Sequence, residues 1–384
     1  MKFDILSEYC FVNMGQSPAS ETYNNNADGL PFYQGNADFG EIHPQTRIWC
    51  SAPVKIANKG DLLISVRAPI GALNIATEQC CIGRGLAALT PKLDKCRIKY
   101  IYFAIQSQIN FLIANGTGST FKAVNKNTLE NLLIPVSSLN KQDEIVNIFE
   151  KLNNIINKRK EQLLLLDNAV KSRFIEMFGD PLLNPYNLIT VKLGTVLAVE
   201  PQNGLYKPQS DYVVDKSGIP ILRIDSFYNG QLRNLNSLKR LNCSDIEKKR
   251  YLLKENDIVI NRVNSIEYLG KCALITGLVE DTLFESNMMR LHVDETKYNP
   301  VYVTYLLCSK FIYNQILSMA KKAVNQASIN QKDVENFEIY MPNLNLQNKF
   351  ADFVKQTDKS KLEIQKSLDK LEILKKSLMQ QYFG

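Results

Sequence analysis

Two stretches of this chain follow one plan, and the way their spacing changes constrains the fold more than any other feature. Gly29-Leu30-Pro31 returns as Gly218-Ile219-Pro220, and Gly60-Asp61-Leu62-Leu63-Ile64 returns as Asn256-Asp257-Ile258-Val259-Ile260. Leu139-Asn140-Lys141-Gln142 returns as Leu344-Asn345-Leu346-Gln347, and Phe178-Gly179 as Phe383-Gly384. The offset grows from 189 to 196 to 205, then holds at 205 without a gap from Leu139 to Gly179. Variable front parts and equal-length back parts imply internal two-fold symmetry. Duplex DNA, which has such symmetry itself, is a fitting target.

A length of 384 residues allows two or more cores of ordinary size, and 45% hydrophobic with 22% charged residues indicates a soluble, globular chain. The net charge of +7 leans toward a polyanionic partner. No apolar run is long enough to span a membrane, and the opening residues lack the apolar stretch of a signal peptide. The eight cysteines form no CxxC pair, and most sit in apolar surroundings such as Cys272-Ala273-Leu274-Ile275 and Leu306-Leu307-Cys308. They suit reduced core residues of a cytoplasmic protein. His43 and His292 are the only histidines, which makes a His-based metal site or general base improbable. The adjacent Cys80 and Cys81 would face opposite sides of a strand, so they are poor joint metal ligands.

Each copy begins with short apolar runs separated by Gly and Pro, as in a compact sheet or barrel. Copy one has 62–67 and 72–77, and copy two has 257–262 and 272–276. An amphipathic helix follows, Ile98 to Ile113 and Val301 to Met319. A basic, Asn-rich segment comes next, Gly116 to Lys126 in copy one and Lys321 to Asn330 in copy two. The long helix then begins after Pro135 or Pro342.

On a 3.5-residue grid from Ile145 to Met177, eight of ten positions are apolar, and seven of ten are apolar on the equivalent grid from Phe350 to Tyr382. That pattern predicts a coiled-coil seam. A length of about 36 residues, roughly 54 Å at 1.5 Å per residue, favours a helix pair over a helix packed on its own domain. Gly179-Asp180-Pro181 stops the first helix. Helix one leads from the first globular part to the second, and helix two starts at the second. If their seams meet they must run antiparallel, which puts Gly384 near Met1 and a globular part at each end. A one-residue insertion would turn a seam by about 100° out of contact, which accounts for the constant offset there.

The expected fold class is α+β: two β-rich domains joined by two long antiparallel helices in a coiled coil, with a pseudo-two-fold repeat. The boundaries fall at 1–136 and 182–341 for the domains and 137–181 and 342–384 for the helices. This whole-chain plan resembles the specificity subunit of Type I restriction-modification enzymes. The most specific marks are Leu139-Asn140-Lys141-Gln142, Met177-Phe178-Gly179-Asp180-Pro181, and Gly60-Asp61-Leu62-Leu63 with Arg67. Ile82-Gly83-Arg84-Gly85 and Thr120-Phe121-Lys122 are also similar to stretches of that family. Copy two departs at Asn256, where Gly is usual, and shows no counterpart to Gly83-Arg84-Gly85 near Ser286-Asn287. The resemblance implies two target recognition domains, each reading half of a bipartite site in double-stranded DNA. The helices would act as spacer and dock two methyltransferase (M) subunits, with restriction (R) subunits joining. This chain would carry no cofactor, and S-adenosylmethionine, ATP and Mg would belong to the partner subunits.

Phosphate contact needs cations and amides on loops, while base reading needs forked or amide side chains. Lys122, Asn125 and Lys126 match Lys321, Lys322 and Asn325 by position and composition, which makes them the leading DNA-contact candidates over an ordinary solvated loop. Arg67, and Arg262 one place earlier in its own copy, could each reach a guanine edge or make a structural ion pair. Arg84 between two glycines could approach phosphate or pack on a carboxylate. Arg223 and Arg233 flank Ile224-Asp225-Ser226-Phe227 as further candidates.

Catalytic readings fare poorly. Asn184-Pro185-Tyr186 is one proline short of an amino-methyltransferase loop, and no Gly-rich cofactor loop follows a strand. Glu247-Lys248-Lys249 matches half of a nuclease motif in a segment better read as a solvated face, and no Walker run occurs. The chain is therefore expected to be non-catalytic. A coiled-coil scaffold carrying two protein-binding modules is the alternative, and steep salt dependence of duplex binding separates the two.

Overall fold

A computed structural model describes residues 2–116, 122–215, 217–228 and 230–384. The chain divides into two compact units, Met1–Glu161 with Ile364–Gly384, and Gln162–Glu363. Each long helix is thus shared between them, the first half of one accompanying the last half of the other.

In the first unit, the run Leu62–Ser65 is buried throughout. Leu62 and Ile64 enter a core with Tyr100, Ile101 and Ile105 of helix Ile98–Ser107, while Leu63 enters another with Tyr33, Ile82 and Leu86. A strand covered on both faces has no polar side to show, hence its unbroken apolar sequence. It lies inside an antiparallel sheet ordered Cys10–Met14, Leu86–Pro91, Leu62–Ser65, Leu73–Ile75. A second sheet contains the parallel pair Leu30–Tyr33 and Cys80–Ile82. Cys80 and Cys81 point into different cores, as neighbours on a strand must.

The second unit repeats the plan. Its main sheet runs Leu197–Asn203, Met288–Val293, Ile258–Asn261, Cys272–Leu274, and Ile219–Leu222 pairs in parallel with Leu283–Phe284. Ile258 and Ile260 enter one core and Val259 another. Gly60 and Asn256 occupy the same left-handed corner, at φ 88° and 68°. Asn tolerates that conformation, so the departure from Gly is conservative.

Three expectations need correction. The amphipathic stretches are each two helices, Ile98–Ser107 with Ile109–Ala114 and Pro300–Leu307 with Lys310–Met319. In the second, the Ser309 side chain accepts from the Ile312 N–H and caps a new start. The strands expected at 72–77 and 272–276 are shorter, Leu73–Ile75 and Cys272–Leu274. Cys308 is exposed rather than core, with its Sγ 3.4 Å from that of Cys272.

The long helices, Leu139–Phe178 and Leu344–Phe383, have 40 residues each. Every position of both predicted seam grids is buried or half-buried. In the first unit Phe149 packs on Phe383, with ring centroids 5.8 Å apart, and Lys160 pairs with Glu372 at 3.5 Å. In the second, Phe174 packs on Phe350 at 5.4 Å and Lys361 pairs with Asp167 at 2.6 Å. Numbers rise along one helix as they fall along the other, so the pair is antiparallel within each unit. Gly179 and Gly384 end the helices at φ 78° and 95°, their N–H groups donating to Ile175 and Gln380. Met1 lies outside the described residues, but Gly384 lies against Phe3: a Cβ there would sit 3.5 Å from the Phe3 ring. No helix among the described residues is long and apolar enough to cross a membrane.

Candidate nucleic-acid interface

In each unit the chain crosses itself just beyond the central strand, and there the cations collect. In the first unit the Val66 N–H donates to Gly85 and the Val66 carbonyl accepts from Val124, while Arg67 bridges to Ala123. These bonds bring Arg67, Arg84 and Lys122 to one corner. All three are exposed, and none forms an ion pair among the described residues. Thr117 to Phe121, within the predicted basic segment, lie outside the described residues.

The glycines around Arg84 serve the fold. A Cβ at Gly85 would lie 2.3 Å from the Gln34 carbonyl oxygen, and one at Gly15 would lie 2.2 Å from that of Gly83. Chain-to-chain packing fills the place a side chain would take at Gly85 and Gly15, so both glycines are required by the fold.

In the second unit the Arg262 N–H donates to Asn287 and the Arg262 carbonyl accepts from Ile329. Val263–Asn264 pairs with Ala327–Ser328, which pairs with Lys321–Lys322. Lys321, Lys322 and Asn325 thus stand on an exposed hairpin against the Arg262 loop, over a 310 Å³ cleft lined by Ser265, Ile266, Lys322 and Asn325. Arg262 is half-buried. Its Nη1 donates to the Ser286 carbonyl at 3.0 Å, and its Nε is buried without a hydrogen-bond partner among the described residues. Of the two readings offered for Arg262, no ion pair forms among the described residues.

Other candidates have structural duties. Asn125 caps helix Lys126–Glu130, its Oδ1 accepting from the Thr128 N–H at 2.8 Å, and Lys126 pairs with Glu130 at 3.4 Å. The counterpart of Asn125 is Asn330, which caps Gln331–Glu335, rather than Asn325. Lys122 accordingly corresponds to Ala327. The predicted match of the two basic segments is out of register by five residues.

Arg223 is tied to Glu285 at 3.2 Å, and Glu285 also accepts from the Ile224 N–H. Burial alone would lower the Arg223 pKa; the Glu285 carboxylate outweighs it and raises the value. Asp38 has the matching duty in the first unit, accepting from the Gln34 N–H and pairing with Arg47.

Composition did not single out the stack in which Lys271 Nζ sits 3.7 Å from the ring centroids of both Tyr228 and Tyr268. Arg233 lies over the same Tyr228 ring at 5.1 Å. Cations interleaved with exposed tyrosines were the available signal, scattered over more than forty residues of chain.

This architecture defines a class: a duplicated β-rich module whose copies each carry a basic corner and pack on half of an antiparallel helix pair. The chain belongs to the family of Type I restriction modification DNA specificity domains, whose profile matches residues 5–165 and 187–374. A provisionally named type I restriction enzyme MjaX specificity subunit of Methanocaldococcus jannaschii is 40% identical over 159 residues, covering 40% of this chain and 37% of that protein. The MjaIX specificity subunit of the same organism is 23% identical over 344 residues, covering 85% and 77%. The Type-I restriction-modification system S subunit from M. genitalium shares the fold at a TM-score of 0.59 and 15% identity, covering 100% of this chain and 96% of that one. The chain spans little more than a third of the first relative's length.

Proposed function

We propose that this chain is the DNA-reading, non-catalytic subunit of a Type I restriction-modification complex. Each unit reads one half of a bipartite duplex site, and the helix pair docks two methyltransferase subunits, with restriction subunits joining them. S-adenosylmethionine, ATP and Mg are handled by those partners. The observation that carries this reading is the basic corner repeated at the same chain crossing in both units. Apolar residues outside the seam support the docking role: Ile148, Ile155, Ile373 and Leu374 in the first unit, Leu164, Leu165, Ile175 and Leu362 in the second, all exposed.

Methylation of a base requires it to leave the stack, and the partner subunit would capture it while this chain holds the flanking sequence. Methylome sequencing of cells with and without the chain tests the proposal. A bipartite motif that vanishes with the chain is expected; an unchanged methylome, with duplex binding insensitive to salt, would overturn it.

A further inference from the structure

Both long helices place a glutamine as their fourth residue, and both glutamines are fully buried. Gln142 Oε1 accepts from the Arg97 N–H at 2.8 Å, while its Nε2 donates to the carbonyls of Lys95 and Ser137 at 3.0 and 2.9 Å. Gln347 Oε1 accepts from the Asn299 N–H at 2.8 Å, and its Nε2 donates to Lys297 and Pro342 at 3.5 and 2.9 Å. Arg97 and Asn299 stand at equivalent places, as N-caps of helices Ile98–Ser107 and Pro300–Leu307. One side chain therefore stitches the start of a module helix to the start of the long helix, using both its donor hydrogens and its acceptor.

A second tie lies beside each clamp, equal in place and different in chemistry. The Arg97 guanidinium binds Asp143 at 3.0 Å, and the Asn299 amide donates to Asn348 at 2.9 Å. A third repeats as well: Tyr100 and Tyr302 hydroxyls donate to the carbonyls of Pro135 and Tyr340. Around the joint the residues have diverged, yet the glutamine and its bonding pattern are the same in both copies.

An amide buried for stability alone has simpler substitutes, because an apolar side chain of its size carries no polar atoms to satisfy. What an apolar side chain cannot supply is direction. Three hydrogen bonds from one planar amide fix the angle between two helix starts, whereas apolar contact lets them slide and roll.

We propose that Gln142 and Gln347 are positioning residues that lock each module rigidly onto the start of its long helix, and that this lock narrows the range of half-site spacings the chain accepts. This rests on the reading of the chain as a bipartite DNA reader. A module hinged at this joint would reach half-sites over a wide range of spacings; a locked one accepts a narrower range.

The test uses the full chain in complex with its methyltransferase subunits. The wild-type motif is read by methylome sequencing. Duplexes carrying both half-sites at that spacing, or one base pair shorter or longer, then compete for binding. Gln142→Met and Gln347→Met keep the volume and remove the hydrogen bonds. Each is expected to lower discrimination against the wrong spacings by at least about five-fold, with affinity for a single half-site and the salt slope unchanged; Gln→Glu, which keeps the acceptor and loses both donors, should do likewise. Undiminished discrimination in folded variants would overturn the proposal. So would failure of both the Met and Glu variants to fold, since the glutamines would then hold the fold rather than set the angle. A wild-type chain that directs no bipartite motif would instead sink the functional reading beneath it.

Discussion

Replacing Lys321 and Lys322 with alanine should change how duplex binding depends on salt, by an amount set by the hairpin. Each phosphate neutralised by a protein cation contributes about 0.9 to the slope of log affinity against log salt, so two independent contacts would contribute about 1.8. Lys321 and Lys322 are consecutive residues of one short strand, paired with Ser328 and Ala327. Consecutive strand residues face opposite sides, and a duplex backbone passing along one side meets one of them. The double variant should therefore lose about 0.9, not 1.8. Over the four-fold range from about 50 to about 200 mM salt this is a change of about 3.5-fold in affinity loss. One single variant should carry that whole effect and the other almost none. Lys126→Ala, whose ammonium already pairs with Glu130, should leave the slope alone. Fluorescence anisotropy with a labelled duplex over that salt range reads all four proteins. An unchanged slope in the double variant would remove the hairpin from the interface. Equal losses in both single variants would refute the alternating-face argument.

Two further outcomes are expected. Phe350→Ala removes a fully buried ring packed against Phe174, Phe178 and Tyr305, and should cost about 3–5 kcal/mol in denaturant unfolding; a loss below about 1 kcal/mol would mean the helix pair is not held by these rings. Acid should loosen the second unit first. Hydrogen bonds from the Ser244 N–H, then Lys207 and the Ser244 hydroxyl, hold Glu247 down to about 2, and the Thr296 hydroxyl, then Lys297, hold Asp294 down to about 2. Depressed carboxylates stabilise the fold while ionised, and that contribution fades as the pH falls from about 4 through their folded values. In the first unit burial raises Asp61, so its protonation favours that fold. Amide exchange followed by mass spectrometry during acidification should show residues 162–363 opening before residues 2–116; the opposite order would refute this.

Periodic features were legible in the sequence and aperiodic ones were not. The helix seams were readable because burial repeats every 3.5 residues regardless of which residues fill the grid, Arg173 and Lys361 included. The central strands were readable because burial on both faces forces an unbroken apolar run. The ion pair between Arg223 and Glu285 was hidden, since a carboxylate 62 residues away leaves no local signal. The basic segments misled through composition. Lysines and asparagines recur in both copies, but register is set by backbone hydrogen bonds such as Val124 to Val66 and Ile329 to Arg262, and those align Lys122 with Ala327.

The duplication supplies an internal comparison that separates scaffold from surface chemistry. Where the copies must hold the same backbone, chemistry drifts while geometry stays, as with Gly60 against Asn256 at the left-handed corner. At the basic corner the opposite happens. Arg67 stands where the second copy has Val263, Arg262 where the first has Val66, Arg84 opposite Ser286, and Lys122 opposite Ala327. None of these four cations is kept in place, although both corners are basic. A surface that only neutralised phosphates would have no reason to move its charges, because the DNA backbone is the same at every site. Two faces that read different base sequences must differ in where their forked and amide groups point. On the proposed function, the two half-sites should therefore differ in sequence, and a palindromic motif in the methylome would refute the argument.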